Sequence, residues 1–203
     1  MSPSPVACLL LDVGRVLVDL DYQTLANRMR SITGLEPLQL QAMLSADSLV
    51  QKLETGKMQG AQFYEEVCWR TGVRIAWPEF LESWNSILGA PLISEEMIAA
   101  LARNVRLWVV SNTNDLHFDH MMQHFAFPRY CEGFVVSHEV GALKPDPRIF
   151  LHALERVQMD PSAVLFVDDQ EGNVAAAQAL GIPAFQFLSL EQFEAELKLR
   201  GVL

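Results

Sequence analysis

The sequence predicts an α/β fold: a doubly wound parallel sheet with an all-helical cap inserted after its first strand. Three observations carry that expectation. Four short apolar runs, Val6–Leu11, Leu107–Val110, Phe134–Val136 and Val164–Val167, are continuous rather than alternating, as strands covered on both faces must be. Each run stops in polar residues: Asp12, then Ser111-Asn112-Thr113, Ser137-His138-Glu139 and Asp168-Asp169. Between them lie segments with helical ends, and strands alternating with helices build an open sheet.

In chain order, Val6–Leu11 is the first strand. From Asp21 to Pro91 no strand-like run occurs. Amphipathic pieces at Tyr22–Ile32, Pro37–Leu44, Ala61–Arg70 and Pro78–Leu88 are instead punctuated by Gly34, Gly56, Gly60, Gly72 and Gly89. The chain therefore divides into a core, residues 1–20 and 92–203, and a helical cap, residues 21–91. Trp69, Trp77 and Trp84 read as cap core. After the cap, Ser94 followed by Glu95-Glu96 reads as an N-cap with acids in the first helical turn. Asp146-Pro147 is an N-cap followed by proline at the first helical position, opening Arg148–Val157. An alanine-rich helix from about Asn173 ends at Gly181, Ala184–Phe187 is a fifth strand, and Ser189 with Gln192 forms a capping-box pattern.

Composition narrows the function. The 203 residues are 50% hydrophobic and 20% charged, which excludes a disordered or collagen-like chain. The longest apolar run is far shorter than the roughly 20 residues of a membrane span, and no Lys or Arg precedes it as in a signal peptide. A soluble, cytoplasmic protein is expected. The net charge of −10 makes nucleic acid and anionic membranes poor partners, although a local cation or metal still admits a small anion. Cys8, Cys68 and Cys131 show no metal or redox spacing.

In open α/β sheets, ligands bind beyond the carboxyl ends of the strands, where the polar residues collect here. Asp12-Val13-Gly14-Arg15-Val16, Ser111-Asn112, Lys144-Pro145-Asp146 and Asp168-Asp169, in that order and placement, resemble the haloacid dehalogenase superfamily. The stretch Glu139–Phe150 is similar to that superfamily's lead into its lysine. Leu53-Glu54-Thr55-Gly56-Lys57 and Ser111-Asn112-Thr113-Asn114 further resemble its sugar-phosphate phosphatase branch, and the phosphatase half of soluble epoxide hydrolases is also similar.

The resemblance implies a phosphatase acting on a small phosphorylated metabolite, with Mg²⁺ as cofactor. Asp12 is then the nucleophile, and Asp12, Asp169 and the backbone carbonyl of Gly14 are the metal ligands. Asp168 and Asn173 support that shell. Ser111 and the Asn112 backbone hold phosphoryl oxygens, and Lys144 supplies compensating charge. A histidine follows the Ser-Asn motif in similar phosphatases, so His117 is a candidate substrate contact; Arg15 is another. His117, His120 and His124 share a helical face, but no carboxylate or thiol spacing accompanies them, so zinc is not expected. Alternatives are a metal-independent 2-haloacid dehalogenase, which lacks the paired Asp168-Asp169, a phospho-accepting receiver domain, and a catalytically weakened phosphate-binding protein of the same fold.

One position departs from the superfamily's usual pattern. Most of its phosphatases carry, two residues after the nucleophile, an aspartate that protonates the leaving group. Here that residue is Gly14, as in the sugar-phosphate branch. Rates are thus expected to depend strongly on the leaving group, with Asp19 the nearest alternative acid in the sequence.

Overall fold

A computed structural model describes residues 6–203. Seven strands occur among them: β1 (Cys8–Leu11), β2 (Val18–Leu20), β3 (Leu88–Pro91), β4 (Arg106–Ser111), β5 (Gly133–Val136), β6 (Val164–Asp168) and β7 (Ala184–Gln186). Five form one parallel sheet in the order β5-β4-β1-β6-β7, with Leu10 of the central strand opposite Trp108 on one side and Phe166 on the other.

Alternate side chains of these strands feed two separate cores. Leu9, Leu11, Val109 and Val167 pack with Ile98, Met121 and Phe193. Cys8, Leu10, Val110 and Phe166 pack with Ile149, Phe150 and Ala177 on the opposite face. This double cover is why the strands read as unbroken apolar runs. The helix ends follow their signals: Ser94 accepts from the Met97 N–H, Asp146 from Arg148 and Ser189 from Gln192.

Between β2 and β3 the chain forms five helices: Tyr22–Thr33, Pro37–Ser45, Leu49–Glu54, Gly60–Thr71 and Trp77–Asn85. They bury their own cluster, including Met29, Leu53, Phe63, Val67 and Phe80, and Leu116 of the core reaches into it.

Three expectations need correction. The inserted region is not all-helical, because Leu88–Pro91 is a strand paired antiparallel with Val18–Leu20. Its partner lies across the whole insertion and Gly89 interrupts it, so no local apolar run marks it. The last cap helix accordingly stops at Asn85. The helix Leu49–Glu54 follows Asp47 and Ser48, both with positive φ, a turn that residue propensities do not signal. Finally, Trp84 is buried, but Trp77 is 37% and Trp69 77% exposed. Trp77 packs edge-on against Tyr64 at the rim of the cluster.

Candidate active site

The parallel strands deliver their polar ends to one edge of the sheet. Asp12 directly follows β1 and is tied to β6 by its backbone N–H, which donates to the Val167 carbonyl at 3.0 Å. The chain then turns tightly, with the N–H groups of Val16, Leu17 and Val18 all pointing at the Val13 carbonyl and Arg15 held at φ 58°. Ser111 ends β4 and Asp168 ends β6.

Lys144 links these ends. Its side chain is almost fully buried, and Nζ donates to Asp12 Oδ1 at 2.7 Å, Asp168 Oδ2 at 2.6 Å and the Val110 carbonyl at 2.8 Å. Its three donors are therefore matched by three acceptors. The backbone of Lys144 is fixed by Asn112, whose Oδ1 accepts from the Lys144 N–H at 2.7 Å while Nδ2 donates to the Lys144 carbonyl at 2.9 Å. The sequence reading gave Asn112 only a backbone role; here its side chain positions the lysine. Ser137 ties the same loop to β5, accepting from the Thr113 N–H and donating to the Thr113 carbonyl, each at 2.9 Å.

Asp168 is completely buried and engaged at both oxygens. Besides Lys144, it accepts from the Gln170 N–H at 2.8 Å and Asn173 Nδ2 at 2.9 Å. Asn173 thus holds Asp168. A cleft of about 410 Å³ opens above these groups. Every sequence-predicted site residue except Asp168 lines it: Asp12, Gly14, Arg15, Ser111, Asn112, His117, Lys144, Asp169 and Asn173. Arg15 is exposed at its mouth, with its guanidinium over the Tyr22 ring.

Burial lifts the Asp12 carboxyl to about 6, against the pull of Lys144. Burial and the adjacent Asp168 raise Asp169 as well. One oxygen from each of Asp12, Asp168 and Asp169 lies within 4.8 Å of the other two. With Asp168 occupied by its own hydrogen bonds, Asp12 and Asp169 are the carboxylates presented to the cleft. These carboxylate oxygens are the donor type that Mg²⁺ prefers, and Gly14 lines the same cleft. The three histidines form no such cluster. His120 and His124 meet at a tilt with ring centres 4.3 Å apart, while His117 faces the cap.

His117 lies flat against Trp84, and its Nδ1 sits 2.9 Å from Asn85 Oδ1. Burial pushes its imidazole down to about 3, with His120 adding a smaller push in the same direction. The unfolded chain protonates this residue below about pH 6.5, whereas the folded chain resists until about 3. Stability contributed by His117 is therefore complete above about pH 6.5 and lost as the pH falls. His117→Gln should show a smaller drop in melting temperature than wild type between about pH 6.5 and 4.5. Parallel melting profiles would contradict this.

Glu54 lines the cleft from the cap side, together with Tyr22, Ile87 and Leu88. Sequence reasoning placed Glu54 inside a familiar stretch but assigned it no role. The available signal was a carboxylate just before a glycine. Gly56 has φ +66°, and a Cβ there would lie 2.0 Å from the His138 carbonyl oxygen, so only glycine lets this cap turn sit on the core. Asp19, the other acid considered, is exposed, accepts from the Leu20 N–H and does not line the cleft.

Comparison with known proteins agrees with this geometry. The family described as haloacid dehalogenase-like hydrolase matches residues 45–181. D-ribitol-5-phosphate phosphatase of Bacteroides thetaiotaomicron is 24% identical over 88% of this chain and 90% of its own. Phosphoglycolate phosphatase of Nitrosospira multiformis is 27% identical over 90% of this chain and 83% of its own. A HAD family enzyme of B. thetaiotaomicron superposes with a TM-score of 0.86 at 25% identity, covering 96% of this chain and 99% of that one. Its complex with magnesium and inorganic phosphate gives 0.81 at 25% identity, over 91% of this chain and 96% of that one. Strand order, the Asp12–Lys144–Asp168 centre and these likenesses converge: the chain is an enzyme belonging to the haloacid dehalogenase-like hydrolases.

Proposed function

We propose that the chain is a Mg²⁺-dependent phosphomonoester hydrolase, acting on a small phosphorylated metabolite, with sugar phosphates favoured, through an aspartyl-phosphate on Asp12. The observation that carries this reading is the placement of Asp12 in a polar cleft, 2.7 Å from a buried lysine and beside the second carboxylate Asp169. A phosphate monoester is an anion, and two carboxylates alone would repel it. Mg²⁺ held by Asp12, Asp169 and the Gly14 carbonyl would neutralise that charge.

The chain's own groups do the rest. Asp12 supplies the attacking oxygen, and Lys144 holds that carboxylate in place. Ser111 at the end of β4 and the backbone beyond it face the phosphoryl oxygens. Cap residues roof the cleft, and there they can reject or accept the leaving group and exclude water. The likeness to a D-ribitol-5-phosphate phosphatase supports a phosphorylated polyol or sugar as the substrate class.

The test is metal dependence. EDTA should abolish turnover of p-nitrophenyl phosphate, and added Mg²⁺ should restore it. Full activity in EDTA would overturn this reading and favour the dehalogenase alternative, whose chemistry needs no cation.

A further inference from the structure

Gly14 leaves the cleft without the usual proton donor beside the nucleophile. Arg15 and Tyr22 sit together at the cleft mouth, the guanidinium over the phenol ring. All three Lys144 protons are committed, to Asp12, Asp168 and the Val110 carbonyl. His117 resists protonation, and its Nδ1 is engaged by Asn85. Asp169 faces the metal position, and Asp19 lies outside the cleft.

Glu54 differs from all of these. It is the last residue of the helix Leu49–Glu54, half-buried, and lines both the catalytic cleft and an adjoining cap cavity of about 760 Å³. That cavity continues into the cap along Tyr22, Ile87 and His117, which line both spaces. A leaving group extending from a phosphate at Asp12 toward the cap therefore passes Glu54. No hydrogen bond or ion pair engages its carboxyl among the described residues. The turn that carries it is pressed against the core at Gly56 and tied by the Gly60 N–H, which donates to Asp115 Oδ2 at 2.8 Å.

We infer that Glu54 is the general acid of this enzyme, reaching the scissile ester from the cap in place of the missing aspartate. The inference rests on the phosphatase reading above. In the first step the Asp12 carboxylate oxygen bonds to phosphorus as the ester P–O bond breaks, and the Glu54 proton moves to the departing oxygen, releasing an alcohol. In the second, a water oxygen bonds to phosphorus, the aspartyl P–O bond breaks, and the water's proton returns to Glu54. Protons and electron pairs balance over the cycle. Burial raises the Glu54 carboxyl above the ordinary range, which helps it hold a proton until one is needed.

The test uses the Mg²⁺-loaded full chain with p-nitrophenyl phosphate, phenyl phosphate and glycerol 1-phosphate. Glu54→Gln should lower glycerol 1-phosphate turnover by about 10²–10⁴-fold, the usual worth of general acid catalysis. The first turnover of p-nitrophenyl phosphate should stay near the wild-type rate, because that leaving group departs without a proton. It should appear as a burst before slow steady-state release, because the second step has lost its base. Glu54→Asp, which keeps the acid, should fall between the two.

Equal slowing of all three substrates without a burst would mean a structural role and overturn the assignment, as would a variant indistinguishable from wild type. Should Glu54→Gln not fold, the comparison passes to Glu54→Asp and wild type. With Glu54 as the acid the steep leaving-group dependence expected from Gly14 alone is reversed, so a wild-type rate that falls steeply from aryl to alkyl phosphate would then overturn the assignment. Wild type inactive on all three substrates would defeat the phosphatase reading itself. An active wild type with an insensitive variant defeats only the role of Glu54.

Discussion

Asp12→Asn should abolish hydrolysis of every phosphomonoester that the wild type accepts, by a factor on the order of 10⁴–10⁶, as loss of a nucleophile does elsewhere. The substitution keeps the shape of the side chain and removes the attacking charge. The fold should survive, because Lys144 retains Asp168 and the Val110 carbonyl and is not left as an unpaired buried cation. Steady-state rates together with a thermal melt would check both halves. A variant retaining a tenth of the wild-type rate would contradict the assignment of Asp12. Acid-quenched wild type should carry a hydroxylamine-sensitive phosphate that the variant lacks.

Lys144→Met has the opposite emphasis and should act first on stability. It leaves Asp12 and the fully buried Asp168 facing one another without their shared cation. Breaking a buried ion pair from one side typically costs about 3–5 kcal/mol. For a chain of this size, each kcal/mol lowers the melting temperature by about 2–4 °C. A drop of about 6–20 °C is therefore expected without metal. Mg²⁺ should recover more stability in the variant than in wild type, since it would replace the missing positive charge. A melting temperature unchanged within experimental error would mean that the Asp12–Lys144–Asp168 centre does not support the fold.

The sheet and the catalytic strand ends were legible in the sequence for a physical reason. Residues Cys8–Leu11 are buried on both faces, so nothing polar interrupts them until Asp12, and Val164–Val167 stop at Asp168 in the same way. Helix caps such as Ser94 and Asp146 act on neighbouring residues and show in local sequence. Features made by distant partners did not show. The β2–β3 pairing joins residues on either side of the insertion, and the clamp of Asn112 on the Lys144 backbone crosses two loops. Glu54 was visible only as a carboxylate two residues before Gly56, and its position in the cleft depends on how the cap meets the core. Trp69 resembled its buried neighbour Trp84 because an aromatic residue carries no mark of which helical face it occupies.

The antiparallel pairing of Val18–Leu20 with Leu88–Pro91 has a consequence for how such a molecule can diversify. Leu20 lies opposite Leu88, so the chain leaves the core and re-enters it at a single point. To the catalytic strands, everything between those residues is the loop of one hairpin, and the entropy of closing a loop grows only slowly with its length. The ribbon therefore insulates the register of β1 against β4 and β6 from whatever is threaded through it. A lineage can lengthen, shorten or exchange the roof, and with it the molecule admitted, while the chemical engine beneath is inherited intact.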